Sequence, residues 1–108
     1  MKEKIIARGI PASSGLAAGV VKVVTKIEHL SKIKPGDILV VKTSSPAWTI
    51  GMIKANGLIS EMGGIISHAA IVAREMGIPC IVSVENATNI LKDGQKIRID
   101  GSKGVIYE

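Results

Sequence analysis

The sequence has no phenylalanine and only one tryptophan (Trp48), one tyrosine (Tyr107) and one cysteine (Cys80). Without aromatic side chains there are no platforms on which single-stranded bases could stack, so no nucleic-acid partner is expected. The core must instead be assembled from Ile, Val, Leu, Ala and Met. A lone cysteine excludes an internal disulfide and any cysteine-rich zinc site. Following Pro79 in an apolar stretch, Cys80 reads as a small buried hydrophobe. No apolar run approaches the ~18 residues of a membrane-spanning helix, so no membrane association is expected. The N-terminal Met1-Lys2-Glu3-Lys4 lacks the apolar region and cleavage site of a secretion signal. Together these absences lead to the expectation of a soluble cytoplasmic protein.

What is present is a chain of 108 residues, 46% hydrophobic, with a mean hydropathy of +0.36. That length suits one domain, residues 1–108, with a single core, and the apolar content argues against disorder. The net charge of +5 is unevenly spread. Residues 1–54 hold nine basic and three acidic residues, and residues 55–108 hold five and six. The basic half could face phosphate, nucleotide or an acidic partner, although scattered solubilising lysines give the same count.

Along the chain, β-rich flanks enclose a β/α middle. Ile5-Ile6-Ala7 reads as a short strand, Gly9 to Gly15 as a loop and Gly19 to Val24 as a buried strand. Lys34-Pro35-Gly36-Asp37 is a turn that delivers the strand Ile38-Leu39-Val40-Val41. Ser44-Ser45-Pro46 opens a helix, with Pro46 at its first position and its end near Asn56-Gly57. Leu58-Ile59-Ser60 is a strand. A second helix covers Ser67 to Met76 and is stopped by Gly77 and Pro79. Cys80-Ile81-Val82 continues as a strand, and Asn86 caps a helical turn through Leu91. Gln95 to Asp100 and Val105 to Tyr107 close a hairpin around Asp100-Gly101-Ser102-Lys103-Gly104.

The stretch that bears chemistry runs from Gly63 to Glu75. On a helical projection with His68 at zero, Ala69, Val72, Ala73 and Met76 fall between about 40° and 140°, a coherent core stripe. His68 lies at its margin in the first turn, where the imidazole can reach solvent. Gly63 and Gly64 keep the approaching loop free of bulk and permit positive φ. First-turn amides and the positive helix end form an anion site beside the ring. Neutral imidazole is nucleophilic near pH 7, and the N–P bond it forms is labile enough to pass on. Ser67 could cap the helix and also donate to a phosphate. On pattern alone, a histidine at a helix start is more often a cap or a surface residue. Metal binding has less support, because no carboxylate stands at ligand spacing from His68 and His29 is the only other histidine.

The segment Gly63-Gly64-Ile65-Ile66-Ser67-His68-Ala69-Ala70-Ile71-Val72-Ala73-Arg74-Glu75-Met76-Gly77-Ile78-Pro79 resembles the phosphohistidine signature of PEP-utilising enzymes. That family includes phosphoenolpyruvate synthase, pyruvate phosphate dikinase, enzyme I of the sugar phosphotransferase system and rifampin phosphotransferase. Gly9 to Gly15, Lys34 to Val40, Pro46-Ala47-Trp48-Thr49, Asp93-Gly94-Gln95 and Asp100-Gly101 resemble other parts of the same domain. Many members carry threonine two residues before the histidine, where this chain has Ile66. This leans the resemblance toward the synthase-like and rifampin-phosphotransferase-like branches.

The resemblance implies an α/β fold, a swivelling β/β/α phosphohistidine domain with mixed sheet layers and a few short helices. It implies that His68 accepts a phosphoryl group, that Gly63 and Gly64 shape the loop and that Ser67 supplies a neighbouring hydroxyl. It places no cofactor or metal on this domain; Mg and ATP belong to a partner nucleotide-binding domain or protein. A second partner, often a barrel binding phosphoenolpyruvate, takes or gives the phosphoryl group. At this size the chain is expected to be one part of a phosphotransferase. A carrier for another acceptor, or a regulatory module that keeps the fold, are the rival readings. Ile65, Ile66, Ile71 and Arg74 are the expected docking residues, with Ile71 and Arg74 near 300° and 240°, turned away from the core stripe.

Overall fold

Apolar segments punctuated by Gly, Pro and Asp build one mixed β-sheet in the computed structural model, which describes residues 3–108. Met1 and Lys2, the first half of the N-terminal Met1-Lys2-Glu3-Lys4, lie outside the described residues. The strands are β1 (Ile5–Arg8), β2 (Ile10–Ser13), β3 (Leu16–Val23), β4 (Asp37–Val41), β5 (Gly57–Ser60), β6 (Cys80–Val82), β7 (Lys96–Asp100) and β8 (Val105–Tyr107). In space they run β1-β8-β7-β3-β4-β5-β6-β2. Strands β3 to β6 are mutually parallel, and the pairs β1/β8, β8/β7, β7/β3 and β6/β2 are antiparallel. Helices α1 (Thr49–Met52), α2 (His68–Met76) and α3 (Ala87–Ile90) are short, as are the 3-10 segments Ile27–Lys32 and Pro46–Trp48. The α/β class expected from the sequence is the one observed.

Strand β4 shows why. A central parallel strand is covered on both faces, so past the buried Asp37 it is apolar at every position rather than alternating. Ile38 and Val40 join Ile59, Ile81 and Ile99 on one face, together with Ala87 and Leu91 from α3 and its end. Leu39 and Val41 face the other way, onto Leu58, Cys80 and Val82, under Ala69, Ala70, Val72 and Ala73 of α2. Helices α2 and α3 therefore cover opposite faces of the sheet. The expected stripe on α2 is buried, Ala70 joins it, and Met76 is half-buried against the same cluster. Cys80 is fully enclosed, and burial pushes its thiol up to about 12.

Several boundaries differ from the sequence reading. The segment Gly9 to Gly15 is not all loop, because Ile10–Ser13 forms β2 and pairs with β6. Proline misleads there: β2 is an edge strand, where a missing ladder N–H costs nothing, and the register shifts between Pro11 and Ser13. Strand β3 begins at Leu16, so Gly19 lies inside it. A side chain at Gly19 would collide with the Gly36 carbonyl, which explains the glycine. The helix expected from Pro46 to Asn56 is a 3-10 turn followed by four residues of α1. It stops early because the Asn56 N–H donates to the Asp37 carbonyl (2.8 Å), pulling the chain back to the sheet. The segment Ile27–Lys32, left unassigned by the sequence, is a 3-10 helix that buries Leu30 and leaves His29 exposed.

Candidate phosphohistidine site

Two loops leave the C-terminal ends of the adjacent parallel strands β4 and β5, the usual position for a site in such a sheet. They are fastened to each other: the Glu61 N–H donates to the Val41 carbonyl and the Met62 N–H to the Lys42 carbonyl, both at 3.0 Å. The first loop carries Thr43 and Ser44 and continues into α1. The second passes Gly63 and Gly64 and enters α2 at His68. Gly77, at φ 72°, ends α2 in the left-handed conformation, and the Ile78 N–H returns to the Ala73 carbonyl.

The His68 ring does not simply face solvent, as the projection suggested. It is half-buried and held at both nitrogens, with Nδ1 2.8 Å from Ser44 Oγ and Nε2 2.9 Å from Thr49 Oγ1. Burial lowers its pKa, which favours the neutral ring. Ser44 and Thr49 were not singled out as site residues from the sequence. They stand 24 and 19 residues from His68, a separation over which local pattern carries no information. The one signal in the sequence was Pro46-Ala47-Trp48-Thr49, which belongs to the family resemblance and contains Thr49.

Ser67 occupies the N-cap position of α2, but its side chain makes no capping hydrogen bond. Its Oγ is buried without any hydrogen-bond partner among the described residues. It borders a cavity of about 30 Å³ lined by Thr43, Ser44, Ser60, Met62, Gly63, Ser67, His68 and Ala69. That volume suits one water or one oxygen of a bound anion. A buried hydroxyl left unpaired costs roughly 1–3 kcal/mol, so the arrangement favours a polar guest.

The two glycines have different duties. Gly63 has φ 110°, and a Cβ there would lie 2.7 Å from Ser67 Cβ and 2.8 Å from Ser67 Oγ. Gly64 is not in the left-handed region and faces open space, so the expected positive φ applies to Gly63 alone. Ile65 and Ile66 do not fold back onto the core, and Ile71 is 44% exposed. Ile50, Ile53 and Met62, not selected from the sequence, are also exposed beside the site segments. Arg74 is exposed, but its Nη1 donates to the Ala12 carbonyl (2.8 Å), bracing α2 against β2.

Residues 33–104 match the family model described as PEP-utilising enzyme, mobile domain. A probable phosphoenolpyruvate synthase of Methanothermobacter thermautotrophicus is 48% identical over 105 residues, which are 97% of this chain and 15% of that protein. A rifampicin phosphotransferase of Bacillus cereus is 44% identical over 98 residues, 91% of this chain and 11% of that one. Among solved structures, an Enzyme I protein is similar with a TM-score of 0.63 and 30% identity, covering 71% of this chain and 32% of that one. Aconitase X of Thermococcus kodakaraensis, at 20% identity and a TM-score of 0.69 over 93% of this chain and 95% of that one, shares the fold alone. The chain spans between 11% and 15% of the length of the curated relatives it matches. With the match centred on the loops and helix that present His68, this chain belongs to the family of PEP-utilising enzyme mobile domains.

Proposed function

We propose that this domain is a phosphoryl carrier in which His68 accepts a phosphoryl group from one partner site and delivers it to another. The observation that supports this best is the clamped imidazole: a neutral, half-buried ring at the first residue of α2, held by two hydroxyls. The ring nitrogen without a proton attacks phosphorus. The N–P bond forms as the P–O bond to the donor's leaving group breaks, and the electron pair departs with that oxygen. The proton stays on the other nitrogen, hydrogen-bonded to its hydroxyl neighbour. The hydroxyl beside the attacking nitrogen turns to donate to a phosphoryl oxygen, where Ser67 Oγ and the positive end of α2 add to the stabilisation. The same steps in reverse release the group to the acceptor.

The partners are other domains or proteins: a nucleotide-binding one, with Mg and ATP, and a phosphoenolpyruvate/pyruvate-type one. Carrying the group between them requires the domain to swivel. The similarity to rifampicin phosphotransferase, close to that of the synthases, supports a second reading in which the final acceptor is another small alcohol. A chase experiment tests both. The domain is charged by the nucleotide-binding part of a synthase with Mg and ATP, purified, and offered pyruvate with a barrel domain, or rifampicin with its binding domain. Loss of the phosphoryl group in one arm identifies the acceptor class. A domain that never becomes charged, or keeps its phosphoryl group in both arms, would count against a carrier role.

A further inference from the structure

Glu61 stands at the start of the loop that leads to His68, yet its carboxylate points away from the ring. Oε2 accepts the Thr88 N–H (2.8 Å) and the Thr88 hydroxyl. These two bonds hold the Glu61 carboxyl below the usual carboxylate range. Thr88 lies in the first turn of α3, whose amides need a partner. Asn86, in the N-cap position at φ 59°, gives none from its side chain. Glu61 takes over that duty from outside the helix. Because α3 covers the face of the sheet opposite α2, this contact ties the His68 loop to the far side of the molecule.

The loop has inner fastenings too. The backbone of Glu61 and Met62 is bonded to Val41 and Lys42, and Ser60 Oγ donates to the Met62 carbonyl at 2.7 Å. The two backbone bonds join the second loop to the first, which bears Ser44, and the Ser60 bond braces the second loop on its own strand. The Ser60 carbonyl accepts the Val84 N–H (3.1 Å), and one residue further on the Glu61 carboxylate adds a side-chain anchor on α3, outside both loops. We propose that Glu61 is a positioning residue: through Thr88 it fixes the strand end of the His68 loop, and so sets Ser44 and Ser67 against the imidazole. Its consequence for transfer rests on the carrier reading; its effect on the ring does not.

The test follows the His68 ring by NMR titration of isotope-labelled protein, alongside labelling with phosphoramidate, a small donor that needs no protein partner. In Glu61→Ala the looser pocket should let the ring pKa rise toward its ordinary value, and labelling should slow roughly tenfold. Glu61→Gln keeps an acceptor oxygen for the Thr88 N–H, and the Thr88 hydroxyl can accept from its amide. It should restore most of both properties. Thr88→Val, a milder change, should move the ring in the same direction as Glu61→Ala. If Glu61→Ala and Thr88→Val lower the melting temperature but leave the ring pKa and the labelling rate unchanged, Glu61 is only a helix cap and the proposal is wrong. Should wild-type protein resist phosphoramidate, the carrier reading suffers, while the titration still decides the positioning role.

Discussion

At the scale of the residue, burial and two hydroxyls govern His68. Its folded pKa is lower than the ordinary 6.5, so as pH falls the unfolded chain takes up the proton first. The ring's contribution to stability is therefore full above about pH 6.5 and is lost as pH falls through the folded value. Labelling should follow the neutral ring: flat above about pH 7, with its acidic half-point below 6.5. A half-point at or above that value would contradict a buried neutral acceptor. The clamp has its own test. A hydrogen bond contributes about 1 kcal/mol net, or about fivefold, so Ser44→Ala or Thr49→Val should each slow labelling by that factor. In both, the ring nitrogens should report mixed tautomers by NMR. Wild-type labelling in the double variant would make the clamp incidental. The place of His68 at the head of α2 was legible in the sequence because glycine pair, serine and histidine fall within one short stretch, Gly63 to His68. Ser44 and Thr49 were not, because only the pairing of β4 with β5 brings their loops together.

At the scale of the element, the loop between β5 and α2 depends on one glycine for its shape and on the other for its openness. Gly63→Ala forces a side chain into the left-handed region and against Ser67, and should cost about 1–2 kcal/mol in urea denaturation. Gly64→Val meets no neighbour, so it should leave the denaturation midpoint nearly unchanged while slowing labelling by crowding the approach to His68. Equal effects of the two on stability would refute this division of duties. Helix α2 was readable end to end because a left-handed glycine and a nearby proline stop it, and because its core stripe is contiguous. Strand β2 was not, since Pro11 and two serines look like a loop until β6 supplies the partner. The early stop of the α1 segment was equally hidden, being caused by a hydrogen bond from Asn56 to Asp37 on a neighbouring strand.

At the scale of the whole molecule, the apolar residues around the site have no cover among the described residues. Ile66 is 85% and Ile50 82% exposed, and exposed apolar side chains beside a site are where a partner is expected to dock. Closing them against a partner would exclude water from a labile N–P bond. Ile71→Ser should therefore leave the melting temperature nearly unchanged and labelling by phosphoramidate intact, while slowing transfer from a donor protein. Slow transfer from both donors, with a large loss of stability, would place Ile71 in the core instead. The proposed carrier role turns on the chemistry of one imidazole. Its most direct test is the intact mass of wild-type, His68→Ala and His29→Ala proteins after incubation with the same donor. One acid-labile phosphoryl group is expected on the wild type and on His29→Ala, and none on His68→Ala. A phosphoryl group that survives the loss of His68, or a wild type that takes up none, would contradict that role.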